Sequence, residues 1–134
     1  MVTADELKAK YAEDYFDYEN AVLEASQGEI LVDVNIGDYQ GEEHFLIKKG
    51  DQYAHIVTGY GSCSYCDTIQ AIGESWEGLA DFVKEVADGI IWKSRDEMVE
   101  FVNSHDFKGS WYGSDTVAWE RFKKETLEAL NATT

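Results

Sequence analysis

Hydrophobic positions in the first part of the chain recur with the period of a helix. From Leu7 to Ala25, apolar residues return every three or four positions, so they share one face of an amphipathic helix. A Thr-Ala-Asp-Glu capping box at residues 3–6 is typical of a helix start, and a glycine at position 28 is typical of a helix end. The pattern predicts one helix over residues 3–27.

A two-residue period follows, which is typical of β-strands. Apolar and polar residues alternate from Ile30 to Ile36, and two further β-prone runs occupy residues 44–48 and 52–58. The last two runs are joined by Lys-Gly-Asp at residues 49–51, where glycine supplies a tight turn. We therefore expect three antiparallel strands within residues 29–59.

Small and polar residues then form a turn at residues 59–68 that contains a Cys-x-x-Cys motif. Helical periodicity returns over residues 75–130, with start signals at Ser94 and at Ser114 or Asp115. The chain has no proline, internal repeat or low-complexity linker that would mark a boundary. The prediction is one α+β domain over residues 1–134, with a small three-stranded antiparallel sheet packed against three to four helices.

Charge narrows the choice of partners. The 134 residues carry 11 Lys and Arg against 27 Asp and Glu, which gives a formal net charge of −16. So few basic residues cannot neutralise a phosphate backbone, so we expect no direct binding to DNA or RNA. The apolar runs are far shorter than a bilayer span needs and no secretory signal is visible, so we expect no membrane contact and a cytoplasmic location.

The acidic residues concentrate near the amino terminus. Residues 1–43 hold 12 acids and two lysines, and on the predicted first helix the acids at positions 6, 13, 17 and 24 form a ridge beside the apolar stripe. One interpretation is solubility, because a large net charge keeps a small protein in solution. A second is that the row of carboxylates resembles a nucleic-acid backbone and binds a basic groove. A third is cation binding, which is disfavoured because no Asp-x-Asp-x-Asp-Gly loop of the calcium type is present. No lysine or arginine lies between Tyr11 and Ile47, where the carboxylates are Glu13, Asp14, Asp17, Glu19, Glu24, Glu29, Asp33, Asp38, Glu42 and Glu43.

The Cys63-x-x-Cys66 turn is the one motif with chemical potential, and it has three interpretations. A redox dithiol is disfavoured because the chain lacks a parallel βαβ pattern and a facing proline. A zinc site would need two further ligands from His44, His55 and His105, of which His44 and His55 can be neighbours across a hairpin. The third interpretation is that both cysteines are buried packing residues. The metal ligands to test are Cys63, Cys66 and His55.

The segment Tyr-Gly-Ser-Cys-Ser-Tyr-Cys-Asp at residues 60–67 resembles a group of small acidic proteins encoded by bacteriophages. The resemblance extends over roughly residues 53–122 and includes the helix that precedes Ser94. Members of that group often have glycine where this chain has Tyr65. The resemblance implies a phage protein that acts in the host cytoplasm, and because the group has no assigned activity it implies no mechanism.

These observations predict a binding protein and not an enzyme. The chain has no Gly-x-Ser-x-Gly elbow, phosphate-binding loop or dinucleotide fingerprint, so we expect no catalytic residues and no cofactor apart from the zinc alternative. The main hypothesis is an acidic protein that engages a basic host protein, such as a nucleic-acid-handling or defence factor, through a nucleic-acid-like surface. The alternative is a metal-binding or redox module at the Cys-x-x-Cys turn. The predicted partner-binding residues are Glu13, Asp17, Glu24, Glu29 and Asp33.

Overall fold

Helices and a sheet combine in the α+β arrangement expected from the sequence. The computed structural model describes residues 2–12, 16–37, 41–60, 72, 75–104 and 116–132. The antiparallel sheet of three strands is confirmed, and these residues contain five helices where three to four were expected. The elements are α1 (Ala4–Tyr11), α2 (Tyr18–Ser26), β1 (Glu29–Gly37), β2 (Gly41–Lys49), β3 (Gln52–Tyr60), α3 (Trp76–Asp88), α4 (Arg95–Ser104) and α5 (Thr116–Ala132).

The prediction of one helix over residues 3–27 is wrong, because two helices occupy that range. Asp17 has an extended backbone and accepts a hydrogen bond from the amide of Asn20, whose side chain accepts one from the Asp17 amide. Asp and Asn favour such caps over helix interiors, so this capping box starts a new helix within the continuous apolar pattern. The acidic residues at positions 6, 17 and 24 therefore do not form a ridge on one helix.

The sheet has the strand order β1-β2-β3, and its register decides which side chains are neighbours. Glu43 on β2 lies opposite Asn35 on β1 and Thr58 on β3. Gly50, with φ of +60°, makes the tight turn between β2 and β3 that the sequence predicts. A bulge at Leu31 interrupts the pairing of β1 with β2.

Helices cover both faces of the sheet. On one face, Val34 and Leu46 pack with residues of α4 and α5, and on the other, Phe45 and Ile47 pack with residues of α2. A third apolar cluster joins α1, α2 and α3. Phe45, Leu46 and Ile47 are all fully buried because β2 is central and covered on both sides, and each contributes about 1.5–3 kcal/mol of apolar burial. We call the two helical groups the α1–α3 layer and the α4–α5 layer.

The edge strand β3 is hydrogen-bonded at Tyr53 to a segment outside the sheet. The amide of Tyr53 donates to the carbonyl of Lys93, and the amide of Lys93 donates to the carbonyl of Tyr53, each over 2.8 Å. Lys93 lies in the segment between α3 and α4, so this bridge fastens that connection to the sheet. Within the described segments, no helix is long and apolar enough to cross a membrane.

Candidate functional site

Asp33 and Glu43 are neighbours on the sheet, and the charges of two acids at the start of α2 also act on Glu43. Asp17 and Glu19 lie at the first turn of α2, Asp33 is exposed on β1, and Glu43 is half-buried on β2. Asp33 lies opposite Phe45 and Glu43 is two residues before Phe45, so Asp33 and Glu43 share one face of the sheet as diagonal neighbours. We call Asp17, Glu19, Asp33 and Glu43 the carboxylate cluster.

Glu43 has an altered protonation equilibrium within this cluster. Burial, the hydrogen bond with Asp33 and the negative charge of Asp33 raise the pKa of Glu43 to about 8, and the charges of Asp17 and Glu19 add to the effect. At neutral pH the Glu43 carboxyl therefore keeps its proton and donates it to Asp33. One proton shared by two carboxyl groups lowers their mutual repulsion.

The described part of the chain provides no basic counter-ion for the carboxylate cluster. Among the described residues, no lysine or arginine forms an ion pair with any of its four members. Every described Lys–carboxylate or Arg–carboxylate ion pair lies elsewhere, on α1 and α2 or within the α4–α5 layer. The cluster therefore presents negative charge that the described chain leaves uncompensated.

A buried hydroxyl lies beside the cluster. Thr58 is 5% exposed, and its Oγ1 forms no hydrogen bond with the residues that the structure describes. Because Thr58 lies directly opposite Glu43 on β2, the two side chains are on the same face of the sheet with Cβ atoms about 4.5–5.5 Å apart. Leaving a buried hydroxyl unpaired costs about 1–3 kcal/mol of stability.

Glu24, one of the predicted partner-binding residues, is instead used inside the protein. Its side chain is 7% exposed, and it accepts hydrogen bonds from the Tyr11 hydroxyl over 2.8 Å and from the Lys10 ammonium. Burial alone would raise the pKa of Glu24, but these hydrogen bonds outweigh burial and lower it. Glu24 thus joins α1 to α2 and is not part of an exposed surface.

The other predicted residues divide between two places. Asp17 and Asp33 both act on Glu43 in the carboxylate cluster, whereas Glu29 is exposed at the first position of β1, across from Lys48. Glu13 lies outside the described residues. The structure therefore brings together two of the five predicted residues.

The two helical layers differ in charge. With the Asp17 cap included, the α1–α3 layer carries nine carboxylates and three lysines, whereas the α4–α5 layer carries six carboxylates and four basic residues. On α3, exposed acids follow one side of the helix at spacings of three and four residues. The acids of that side are Glu77, Asp81, Glu85 and Asp88. The negative charge is therefore concentrated on the layer that borders the carboxylate cluster.

A pair of histidines forms a second site on the opposite face of the sheet. His44 Nδ1 and His55 Nε2 lie 2.9 Å apart, and the ring centroids are separated by 5.1 Å. One of the two nitrogens must donate and the other accept, so two neutral rings hold the same tautomer, both protonated on Nδ1 or both on Nε2. His55 thus has the hairpin neighbour that the sequence allowed.

The remaining predicted metal ligands, Cys63 and Cys66, lie outside the described residues, as does His105. Within the ranges that the structure describes, no group of three or more His, Cys, Asp or Glu side chains is arranged to hold a metal ion. The histidine pair alone is too small a ligand set for a structural zinc site, which needs four ligands.

Sequence reasoning did not select Glu19, Glu43 or Thr58. The hairpin turn at Gly50 could have placed Thr58 opposite Glu43, because pairing in a two-residue hairpin follows from the turn position. The sequence does not show which face of the sheet Glu43 occupies, because β2 is buried on both faces and its apolar and polar residues do not alternate.

Comparison with known proteins found no matching family model, no matching curated protein and no matching solved structure.

Proposed function

We propose that this protein is a non-enzymatic acidic binding protein that engages a basic partner protein through the carboxylate cluster and the acidic side of the α1–α3 layer. The observation that supports the proposal is that Asp33 adjoins Glu43 and that two acids at the start of α2 also act on Glu43, with no lysine or arginine counter-ion among the described residues. Glu24 and Glu29 are not included in this surface, because the first is internally paired and the second lies at the far end of β1.

The energetics of the cluster favour binding over solubility as its role. Scattered carboxylates keep a protein in solution at little cost, whereas here burial, and after it the hydrogen bond with Asp33 and repulsion from the neighbouring acids, raise the pKa of Glu43. A basic partner removes that repulsion when it binds. The net charge of −16 also attracts such a partner at long range and speeds the encounter.

The partner we propose is a host protein with a basic groove, one that handles nucleic acid or acts in defence. A surface with regularly spaced carboxylates offers such a groove the negative potential that a phosphate backbone would offer. The resemblance of residues 60–67 to phage proteins supplies the host setting for this proposal. The protein would then occupy the groove in place of the nucleic acid.

Affinity capture from host lysate tests this proposal when it is done with two variants that each replace three carboxylates with amides. The first variant combines Asp17→Asn, Glu19→Gln and Asp33→Asn, in which asparagine preserves the α2 cap. The matched control neutralises three exposed acids of the α4–α5 layer: Glu100→Gln, Glu120→Gln and Glu128→Gln. We expect the cluster variant to lose a partner that the control keeps, and we expect high salt to release that partner from the wild type.

Two outcomes would overturn the proposal. If both variants keep the same proteins, the cluster does not bind them, and if both lose them equally, only net charge matters. Duplex DNA added to the captured complex tests the resemblance to nucleic acid, because it should displace the protein from a groove that binds DNA. A complex that resists DNA would contradict this part of the proposal.

The histidine pair favours a second candidate function, a zinc-binding module. Imidazole nitrogens are good zinc ligands, and the 2.9 Å separation of the nitrogens of His44 and His55 would let both approach one ion, with Cys63 and Cys66 as the further ligands. Metal analysis of protein purified without a histidine tag tests this function. We expect stoichiometric zinc that is lost in Cys63→Ser and in His55→Asn but kept in His105→Asn. Metal-free wild type would exclude it.

A further inference from the structure

Thr58 gives the carboxylate cluster a specific contact point. Its Oγ1 is buried without a hydrogen-bond partner, and the register places it directly beside Glu43 on the same face of the sheet. Asp33 is the diagonal neighbour of Glu43 on that face and is hydrogen-bonded to it. Glu43 is therefore flanked on this face by a carboxyl group on β1 and a hydroxyl group on β3, and all three groups can accept hydrogen bonds.

The chemistry of these acceptors favours a cation with several N–H donors. A carboxylate pair and a hydroxyl can each accept from an ammonium, which has three donors, or from a guanidinium, which has five. A bare metal ion is a poorer match, since no three Asp, Glu, His or Cys side chains of the described ranges are arranged around one point. A lysine or arginine side chain provides both the charge and the donors.

We propose that Asp33, Glu43 and Thr58 form a socket that receives one ammonium or guanidinium group from a lysine or arginine of the basic partner. This inference rests on the proposed function and names the contact that the partner makes. The cation donates to Glu43 and to Thr58 Oγ1, and the neighbouring Asp33 carboxylate adds its negative charge, so the hydroxyl obtains the partner that it lacks among the described residues of the free protein. The remaining acids of the cluster and of α3 attract the partner without such defined hydrogen bonds.

Occupation of the socket is coupled to a proton. Glu43 must bind the cation as a carboxylate, so the proton that it holds in the free protein passes to solvent when the cation enters. Below about pH 8, binding should therefore strengthen by up to about tenfold for each pH unit, because each unit raises the ionised fraction of Glu43 by up to that factor. Electrostatic attraction to permanently charged acids has no such dependence in this range.

The socket can be tested with small cations and full-length protein. The probes are N-acetylarginine amide and N-acetyllysine amide, with tetramethylammonium at equal ionic strength as a cation that cannot donate hydrogen bonds. Carboxyl carbon NMR of Glu43 and Asp33 follows binding. We expect one or both amino-acid probes to shift the Glu43 titration to lower pH, with tetramethylammonium having little effect, and the stronger probe identifies the preferred side chain.

A pair of threonine variants separates the socket from general electrostatics. Thr58→Val keeps the shape of the side chain and should weaken probe binding about tenfold, the usual effect of losing one hydrogen bond to a charged group. Thr126→Val is the matched control, because Thr126 Oγ1 is also buried without a hydrogen bond but lies on α5. Binding should be unchanged in Thr126→Val and lost in Glu43→Gln together with its pH dependence.

The socket is overturned if Thr58→Val binds as the wild type does, or if tetramethylammonium shifts Glu43 as strongly as the arginine and lysine probes. Lysate capture with the same variants distinguishes this failure from failure of the proposed function. If the partner is lost in the Asp17, Glu19 and Asp33 triple variant but held equally by Thr58→Val and wild type, the proposed function stands and the socket fails. If the triple variant keeps every partner, the proposed function itself fails.

Discussion

The free energy of unfolding of this protein should change as pH rises above about 5. Replacing Glu43 with glutamine should remove much of that change. Glutamine has the shape of a protonated glutamate and can donate an N–H to Asp33, but it cannot ionise. The substitution therefore preserves the hydrogen bond to Asp33 and removes the ionisation of residue 43 that makes this bond depend on pH.

The magnitude follows from the pKa of Glu43, which rises from 4.5 to about 8 on folding. Between these values the folded state holds one proton that the unfolded state has released, so stability falls as pH rises, by up to about 1.4 kcal/mol per pH unit. Above about pH 8 both states are ionised and the loss is complete. Because Glu43 is only half-buried and solvent screens its charge, we expect a total loss of about 2–4 kcal/mol.

Urea unfolding of wild type and Glu43→Gln at a series of pH values measures this effect. The histidines and the other carboxyl groups are common to both proteins, so the difference between the two curves isolates Glu43. We expect nearly equal stability at about pH 5 and a variant that is more stable by about 2–4 kcal/mol at about pH 9. Curves that run parallel from acid to alkaline pH would refute a shared proton between Glu43 and Asp33.

Three further substitutions test the local structure. Glu24→Gln should lower the free energy of unfolding by about 1.5–3 kcal/mol at neutral pH, because Tyr11 loses a charged acceptor, and this deficit should shrink as acid protonates the wild-type carboxylate through its lowered pKa. Asp17→Ala should cost about 1 kcal/mol through loss of the cap, whereas Asp17→Asn should cost little. Gly28→Ala should cost about 1–3 kcal/mol, since its Cβ would lie 2.7 Å from the carbonyl oxygen of Lys48. Urea unfolding measures all three effects. The explanations would be contradicted if the two Asp17 variants lost equal stability, if Gly28→Ala left stability unchanged, or if the deficit of Glu24→Gln did not depend on pH.

Local patterns in the sequence predicted the strands well because their signals are local. The tight turn at Gly50 and the alternation along β1 each depend on a few consecutive residues. The break between α1 and α2 was missed because the apolar period continues through it, and only the pairing of Asp17 with Asn20 reveals a second start. At that point the apolar pattern favours one continuous helix, whereas the capping box favours a new helix start, and the structure has the new start.

The candidate site was harder to predict because it depends on register and burial. An acid on an amphipathic helix is expected to face water, so nothing in the sequence placed Glu24 against Tyr11. Glu43 was one of ten carboxylates in a stretch without bases, and only the register of β2 with β3 brings Thr58 to it. Whether a hydroxyl has a partner is a property of the packed chain and has no sequence pattern.

The bridge between Tyr53 and Lys93 has a consequence for self-association. An edge strand with unpaired amide and carbonyl groups can pair with a strand of another molecule. Many sheet proteins form fibrils in this way. At Tyr53 both groups are already engaged within the same molecule, and the Lys93 ammonium lies 5.2 Å from the centre of the Phe101 ring, which helps to hold the connection in place. The strand of another molecule could pair with β3 at this position only after that connection had detached from Tyr53. The bridge therefore hinders fibril growth at the β3 edge.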